Sequence, residues 1–261
     1  MSYIAASRTR TEVPDLEKFN MHTQDVYEIY CFLEGDADYF VEGTVYSLKS
    51  GDILLMKKAE AHSLLIHSPC PYERIVIHFS GDAISPDLRN SLCAFLDNRA
   101  LGKNNRFPAT LFKSAHWQYY LKRIYTTKNR AQQQVYLTAL LYELWEAYPK
   151  ICGSQDVEKN PITDVITYIN ENLTDPLSLE VLCREFYMSK AQLNRKFKKS
   201  TGSTVWEYIM TKRLFLAREY LQDGESPTVV CAKTGFNDYC SFYRAYKAKF
   251  GTSPKDDRRH R

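Results

Sequence analysis

Apolar and polar positions alternate in short runs between residues 26 and 79 and recur at helical spacing further along the chain. The runs are Val26 to Leu33, Tyr39 to Val41, Thr44 to Leu48, Asp52 to Met56, His62 to Ile66 and Tyr72 to Phe79. This alternation predicts β-strands, because successive side chains of a strand leave opposite faces. Turn residues stand between them at Glu34 to Asp38, Glu42 to Gly43 and Ser50 to Asp52. Such regular, short connections predict antiparallel pairing in a small barrel or double-sheet jelly roll, shapes that often enclose a ligand cavity.

From Ser114 to Pro149 the pattern turns helical, with Trp117, Leu121 and Ile124 on one segment and Val135, Leu137, Leu140, Leu141, Leu144 and Trp145 on the next. Leu137, Leu141 and Leu144, spaced by four and three, suit a seam with a second subunit or packing against the barrel. Ile151 to Asn160 is polar and ends at Pro161, which predicts a linker with the proline opening the following helix.

Beyond the linker the chain repeats itself. Val181 to Gly202 recurs as Val230 to Gly251, an offset of forty-nine that matches Leu193 with Phe242, Arg195 with Arg244, Phe197 with Tyr246 and Lys198 with Lys247. Each copy reads as a helix, a turn and a second helix opened by an N-cap, Ser189 or Asp238, whose oxygen accepts from an unpaired backbone N–H. Leu193 and Phe197 face inward, while Ala191, Gln192, Asn194, Arg195 and Lys198 project outward, as do Tyr239, Cys240, Tyr243, Arg244 and Lys247 in the second copy. A brace helix behind a helix presenting Arg, Asn and Lys is the helix-turn-helix arrangement, whose second helix enters the major groove of DNA. The guanidinium fork suits guanine O6 and N7. Lys198 and Lys247 suit phosphates. The outward faces differ, Ala191 and Asn194 against Cys240 and Tyr243, so the two units are expected to read different bases.

Thr204 to Gln222 joins the copies as one helix, with Trp206, Met210, Leu214, Ala217 and Leu221 spaced by threes and fours. At ~1.5 Å per residue it spans roughly 28 Å. That length suits two recognition helices held about one DNA turn, ~34 Å, apart.

Charge follows the repeat. Pro161 to the end holds 17 Lys and Arg against 12 Asp and Glu, while the first 160 residues hold 18 against 19. A basic excess beside the repeats fits phosphate binding. The 7 cysteines form no CxxC pair, and their odd number without a signal peptide predicts free cytosolic thiols. The polar N-terminus and the lack of a long apolar run predict a cytoplasmic protein without membrane spans.

These residues together resemble the AraC family of bacterial transcription regulators. The likeness is carried in the second copy by Gly235, Phe236, Asp238, Ser241, Phe242, Arg244, Tyr246, Lys247, Phe250, Gly251, Ser253 and Pro254. In the first it is carried by Met188, Ser189, Leu193, Arg195, Phe197, Lys198 and Gly202. It implies two helix-turn-helix units on promoter DNA, with base contacts from Ala191, Asn194, Arg195, Tyr239, Cys240 and Arg244. After Pro254 the chain departs, with Asp257 and Arg258 where the family commonly has an aromatic residue and Arg. The N-terminal half is similar to cupin-type sensor domains through His22, Tyr27, Glu28, Gly35, Gly43, the Gly51 to Leu54 turn and strand, and His62.

The fold class expected is α+β. Residues 1–150 form a cupin-like antiparallel barrel with following helices, for effector sensing and dimerisation. Residues 151–160 form the linker, and 161–261 an all-α DNA-binding domain. Metal-binding cupins imply a His-x-His, Glu, His set that would map onto His22, Gln24, Glu28 and His62; Gln24 stands where a ligand imidazole is needed, which argues against a metal. The same region suggests a polar cavity in which His22, Glu28, Tyr30, His62 and Arg74 bind a small effector such as a sugar. Each also has a plainer role open to it, Glu28 capping a turn, His62 ending a strand, Arg74 lying on the outer face. No paired catalytic carboxylates, nucleophile–base grouping or phosphate loop is present, so a metal-dependent cupin enzyme fused to a DNA-binding domain is the lesser alternative. The expected partners are promoter DNA, a small effector, a second copy of the chain and, for an activator, RNA polymerase. No cofactor is expected.

Overall fold

The structure, a computed structural model, describes residues 2–16, 21–152 and 162–258. It divides into two compact units, Met1–Asn160 and Pro161–Arg261, and the class is α+β.

In the first unit, strands β1 (Ile4–Thr11), β2 (Tyr27–Glu34), β3 (Ala37–Val41), β4 (Thr44–Ser47), β5 (Ile53–Met56), β6 (His62–Ile66) and β7 (Tyr72–Phe79) precede helix α1 (Pro86–Asp97). Strand β8 (Arg106–Phe107) and helices α2 (His116–Thr126) and α3 (Arg130–Ala147) follow. Two antiparallel sheets result, one ordered β1-β7-β2-β5-β8 and the other β4-β3-β6. The double-sheet form is therefore the one adopted.

Period-two alternation decides what each face of the larger sheet meets. Ile29 and Cys31 of β2, Ile53 and Leu55 of β5, and Ile75, Ile77 and Phe79 of β7 join one core with α1, α2 and α3. Tyr30, Phe32, Leu54, Met56 and Tyr72 leave the other face and pack with Tyr39, Val41, Leu64 and Ile66 of the smaller sheet. Both faces are covered, which explains the near-continuous burial of β2.

Sequence reading missed β1, which pairs along β7 from Ile4↔Phe79 to Thr11↔Tyr72. Its residues are IAASRTRT and only Ile4 is buried. This edge strand carries charge on its open face, where Arg8 Nε donates to Glu73 Oε1 at 2.7 Å and Arg10 pairs with Glu34. Helix α1 and β8 were also unread.

Leu137, Leu141 and Leu144 are fully buried inside this unit among residues of α1, α2 and the larger sheet. The leucine row is thus a core stripe and no subunit seam. Ile151, expected to begin the linker, is buried in the same core. The remainder of the expected linker, 153–160, and Pro161 lie outside the described residues.

The second unit is helical: α4 (Thr163–Glu171), α5 (Leu179–Glu185), α6 (Lys190–Thr201), α7 (Val205–Gln222), α8 (Pro227–Lys233), α9 (Tyr239–Phe250) and α10 (Pro254–Asp257). Thr204 caps α7 in a reciprocal box with Glu207. The expected apolar stripe of α7 needs correction at its start, since Trp206 is 49% exposed while Val205, Tyr208 and Ile209 are buried. Lying between both repeats, α7 buries more than one side, including Arg213. Arg213 donates to the carbonyls of Leu173, Asp175 and Gly235 at 2.9, 2.7 and 2.7 Å, a three-way staple around the helix.

The repeat carries two offsets. Ser178 and Ser226 stand at the N-caps of α5 and α8, forty-eight residues apart, whereas Ser189 and Asp238 cap α6 and α9, forty-nine apart. The second turn thus holds one extra residue. Both brace helices close alike, Met188 N–H donating to Cys183 O at 3.0 Å and Phe236 N–H to Cys231 O at 3.2 Å. Each passes through a left-handed residue, Tyr187 or Gly235.

The departure at the C-terminus also finds its partners. Asp257 accepts from the Tyr246 hydroxyl at 2.8 Å and pairs with Arg218 at 3.1 Å, and Arg258 donates to Gly224 O at 2.9 Å. The last turn forms, held by these contacts instead of an aromatic residue.

Candidate functional site

Helices α6 and α9 are set by their caps. Ser189 Oγ accepts from Gln192 N–H, and the Gln192 side chain accepts from Ser189 N–H at 3.1 Å. Gln192, expected to face DNA, therefore spends its side-chain oxygen on the cap. Asp238 accepts from Ser241 N–H at 2.8 Å, and that bond holds its carboxyl below the usual range. Leu193 and Phe197 of α6, and Phe242 and Tyr246 of α9, are fully buried.

The opposite faces are open. Ala191, Arg195 and Lys198 are exposed with Asn194 half-buried; Tyr239, Cys240, Arg244 and Lys247 are exposed with Tyr243 half-buried. Lys196 and Lys199 share the exposed side of α6, positions that the repeat comparison passed over because the second copy has Ala245 and Ala248 there. Tyr239 packs its ring near Phe242 and Tyr243, with centroids 5.9 and 6.4 Å away. The second face is consequently aromatic where the first is basic.

The other candidate lies between the sheets, a cavity of about 490 Å³ lined by His22, Gln24, Glu28, Tyr30, Tyr39, Leu64, Tyr72, Arg74, Val76 and His78. Four residues singled out in the sequence, His22, Glu28, Tyr30 and Arg74, line it. The fifth, His62, is buried directly behind, its ring edge-on to His22 with centroids 4.3 Å apart. Tyr39, Tyr72 and His78 were missed, although period two along β7 carries Tyr72, Arg74, Val76 and His78 to one face. The Tyr30 and Tyr72 hydroxyls are hydrogen-bonded to each other.

Glu28 is the buried centre of a polar cluster. It accepts from His78 at 2.9 Å, from the Tyr39 hydroxyl at 3.3 Å and from the Gln24 amide. Burial alone would raise its pKa, but His62 and His78 outweigh that and leave the carboxylate well below its ordinary range. His62 is likewise penalised by burial, yet Glu28, 3.5 Å away, raises its pKa above the usual value. Its Nδ1 faces the Glu60 carbonyl at 2.8 Å, which directs Nε2 inward.

Donor atoms of His22, Glu28 and His62 lie within 4.8 Å of one another, a grouping able to approach a metal ion. The Gln24 amide nitrogen borders that grouping, donating to Glu28 and lying 3.4 Å from His62 Nε2. An N–H donor there meets the lone pairs that a cation would otherwise take. The arrangement around Glu28 suits hydrogen-bonding chemistry, beside a wall of tyrosine rings with Leu64 and Val76.

A family model described as an AraC-like ligand binding domain matches residues 8–145, and one described as a helix-turn-helix domain matches residues 182–260. The Msm operon regulatory protein of Streptococcus mutans is 25% identical over 244 residues, spanning 92% of this chain and 87% of that protein. The lactose operon transcription activator of Staphylococcus xylosus is 22% identical over 239 residues, spanning 89% and 83%. Among solved structures, ToxT of Vibrio cholerae O395 bound to (E)-4-(8-methylnaphthalen-1-yl)but-3-enoic acid aligns over 97% of both chains at 15% identity and a TM-score of 0.41.

Proposed function

The chain belongs to the AraC family of DNA-binding transcription regulators with a ligand-binding domain, and from that premise we propose that it reads one promoter through two unlike recognition helices and alters that binding when a small molecule fills the cavity between its sheets. The observation that carries the DNA part is the pair of capped helices whose apolar sides are buried and whose unlike outer sides are open. Arg195 and Arg244 read base edges, joined by Asn194, Ala191, Tyr239, Cys240 and Tyr243. Lys198 and Lys247 hold phosphates.

Arg195→Ala and Arg244→Ala are each expected to weaken the cognate site by about 1–3 kcal/mol and to leave affinity for random DNA largely unchanged. Equal losses on both duplexes would remove base readout from the proposal. Lys198→Ala and Lys247→Ala are expected to act on all sequences and to flatten the salt dependence, because each phosphate contact releases counterions.

For the effector, the polar groups of His22, Gln24, Glu28 and His78 on one part of the cavity wall support a hydroxylated molecule such as a sugar, and a relative named for a lactose operon points the same way. The protein acts in the cytoplasm as a homodimer, with RNA polymerase as a further partner where it activates. Among the described residues no helix is long and apolar enough to cross a membrane. The donor grouping of His22, Glu28 and His62 favours a second reading, a metal-dependent cupin activity; the Gln24 amide bordering it weighs against that activity. Metal analysis after dialysis separates the two: a stoichiometric transition metal retained by the protein would favour the enzyme.

A further inference from the structure

The two recognition helices share their charged readers and differ in what surrounds them. Across the forty-nine-residue offset Arg195 corresponds to Arg244 and Lys198 to Lys247, whereas Lys190, Ala191 and Asn194 give way to Tyr239, Cys240 and Tyr243. In α6, Lys190 is tied to Glu180 of the brace helix α5, and Lys196 and Lys199 add charge on the exposed side. In α9 those last two positions are Ala245 and Ala248, and Lys249 lies over the Phe215 ring of α7, 5.5 Å from its centre. The second face therefore depends less on charge and more on its rings. Tyr239, Cys240, Tyr243 and Arg244 share one side of the first two turns of α9, the part of a recognition helix that meets base edges. Tyr239 is 39% exposed and Cys240 is exposed. The Tyr239 ring packs 6.4 Å from that of Tyr243 and 5.9 Å from that of the buried Phe242, so the two outward tyrosines form a propped aromatic ledge.

Base pairs show the major groove hydrogen-bonding edges and, on thymine, an apolar group, the C5-methyl. Asn194 on α6 has the adjacent donor and acceptor that match adenine N6 and N7. Its counterpart Tyr243 carries one hydroxyl at the far end of a ring and lacks that pair. From α9 an A·T pair is instead readable on its thymine side, with the methyl group set against the Tyr243 ring and the Cys240 side chain. Arg244, the next residue along, keeps its fork for guanine.

We infer that α9 recognises thymine by its methyl group, with Tyr243 and Cys240 as the contact surface, so that thymine stands beside the guanine read by Arg244 in that half of the site. This deepens the reading of one promoter by two unlike recognition helices and rests on it.

The test uses the full chain and a site selected from a random duplex pool. The half under α9 is the half whose base preference changes in Arg244→Ala. Each thymine of the site is then replaced singly by deoxyuridine, which removes the methyl and leaves every hydrogen-bonding group in place. At a thymine in the α9 half the affinity is expected to fall about three- to fivefold, the worth of burying one methyl group. That penalty should hold from about 50 to 200 mM salt while the affinity itself drops, because the contact carries no charge. In Tyr243→Ala, Cys240→Ser or both, the uridine penalty disappears while the preference of the α6 half is kept, which also shows that the variant is folded. An α9 half without thymine, equal binding of thymine and uridine duplexes throughout it, or a penalty that survives in both variants overturns the assignment. The two-helix reading fails on a different result: no sequence enriched from the pool, or a selected site confined to a single major groove.

Discussion

Tyr187 and Gly235 occupy equivalent left-handed positions, with φ of 51° and 76°, yet they respond to opposite constraints. A Cβ at Gly235 would stand 2.7 Å from Arg213 Cζ, inside the staple that joins three segments, so only glycine fits. Tyr187 is 96% exposed and its left-handed backbone is strained for an L-residue with a side chain. Tyr187→Gly is therefore expected to be stabilising or neutral, gaining up to about 1 kcal/mol from relieved strain less the added chain entropy. Gly235→Ala should cost ~2 kcal/mol or more through strain and the displaced guanidinium. Urea titrations of both variants decide it; a strongly destabilised Tyr187→Gly would mean that the exposed ring makes a contact worth more than the strain. The need for glycine at 235 was partly legible, because it sits in the second copy's turn. The partner that enforces it was not, since Arg213 lies in another helix and reads in sequence as one more surface cation.

At the scale of elements, alternation was sufficient to locate six strands, and the same alternation explains which side chains face the cavity. What it could not supply was β1, because an edge strand that buries only Ile4 has no apolar period to detect. It also could not show that Glu28, His62 and His78 from three different strands converge. That convergence has a pH signature. His62 has its folded pKa raised above the ordinary 6.5, so its stabilisation is full below that value and is lost as pH rises through the raised pKa. Glu28 has its pKa lowered from 4.5, so its contribution is present above 4.5 and lost as pH falls toward the depressed value. The groups facing them are Gln24 and Tyr39, His22, His78 and the Glu60 carbonyl. Stability of the first unit is expected to peak between these limits and to decline on the alkaline side. His62→Gln should flatten the alkaline decline, as followed by thermal melts from pH 5 to 9. A decline of the same size in the variant would assign it to other groups.

At the scale of the whole molecule, the proposed homodimer can be tested on the face of α3 that the leucine row leaves outward. Helix α3 buries Leu137, Leu141 and Leu144, while Val135, Tyr142 and Trp145 on its other side are 65%, 47% and 40% exposed. Their spacings of seven and three match the a and d positions of a two-helix seam. The spacing of the leucines left open a seam or packing within the unit; the structure shows that the sheet and neighbouring helices claim them. A double change, Tyr142→Glu with Trp145→Glu, is expected to convert a dimer to a monomer in sedimentation velocity while leaving the thermal midpoint within a few degrees, since neither ring is core. Leu141→Glu should instead unfold the unit, because a charge buried without a partner costs several kcal/mol. If dimerisation is what places four recognition helices on one promoter, the double variant should also shorten the protected region in a footprint to what one chain covers. A dimer that persists with both glutamates in place would move the seam to another surface and leave the single-chain contacts of α6 and α9 untouched.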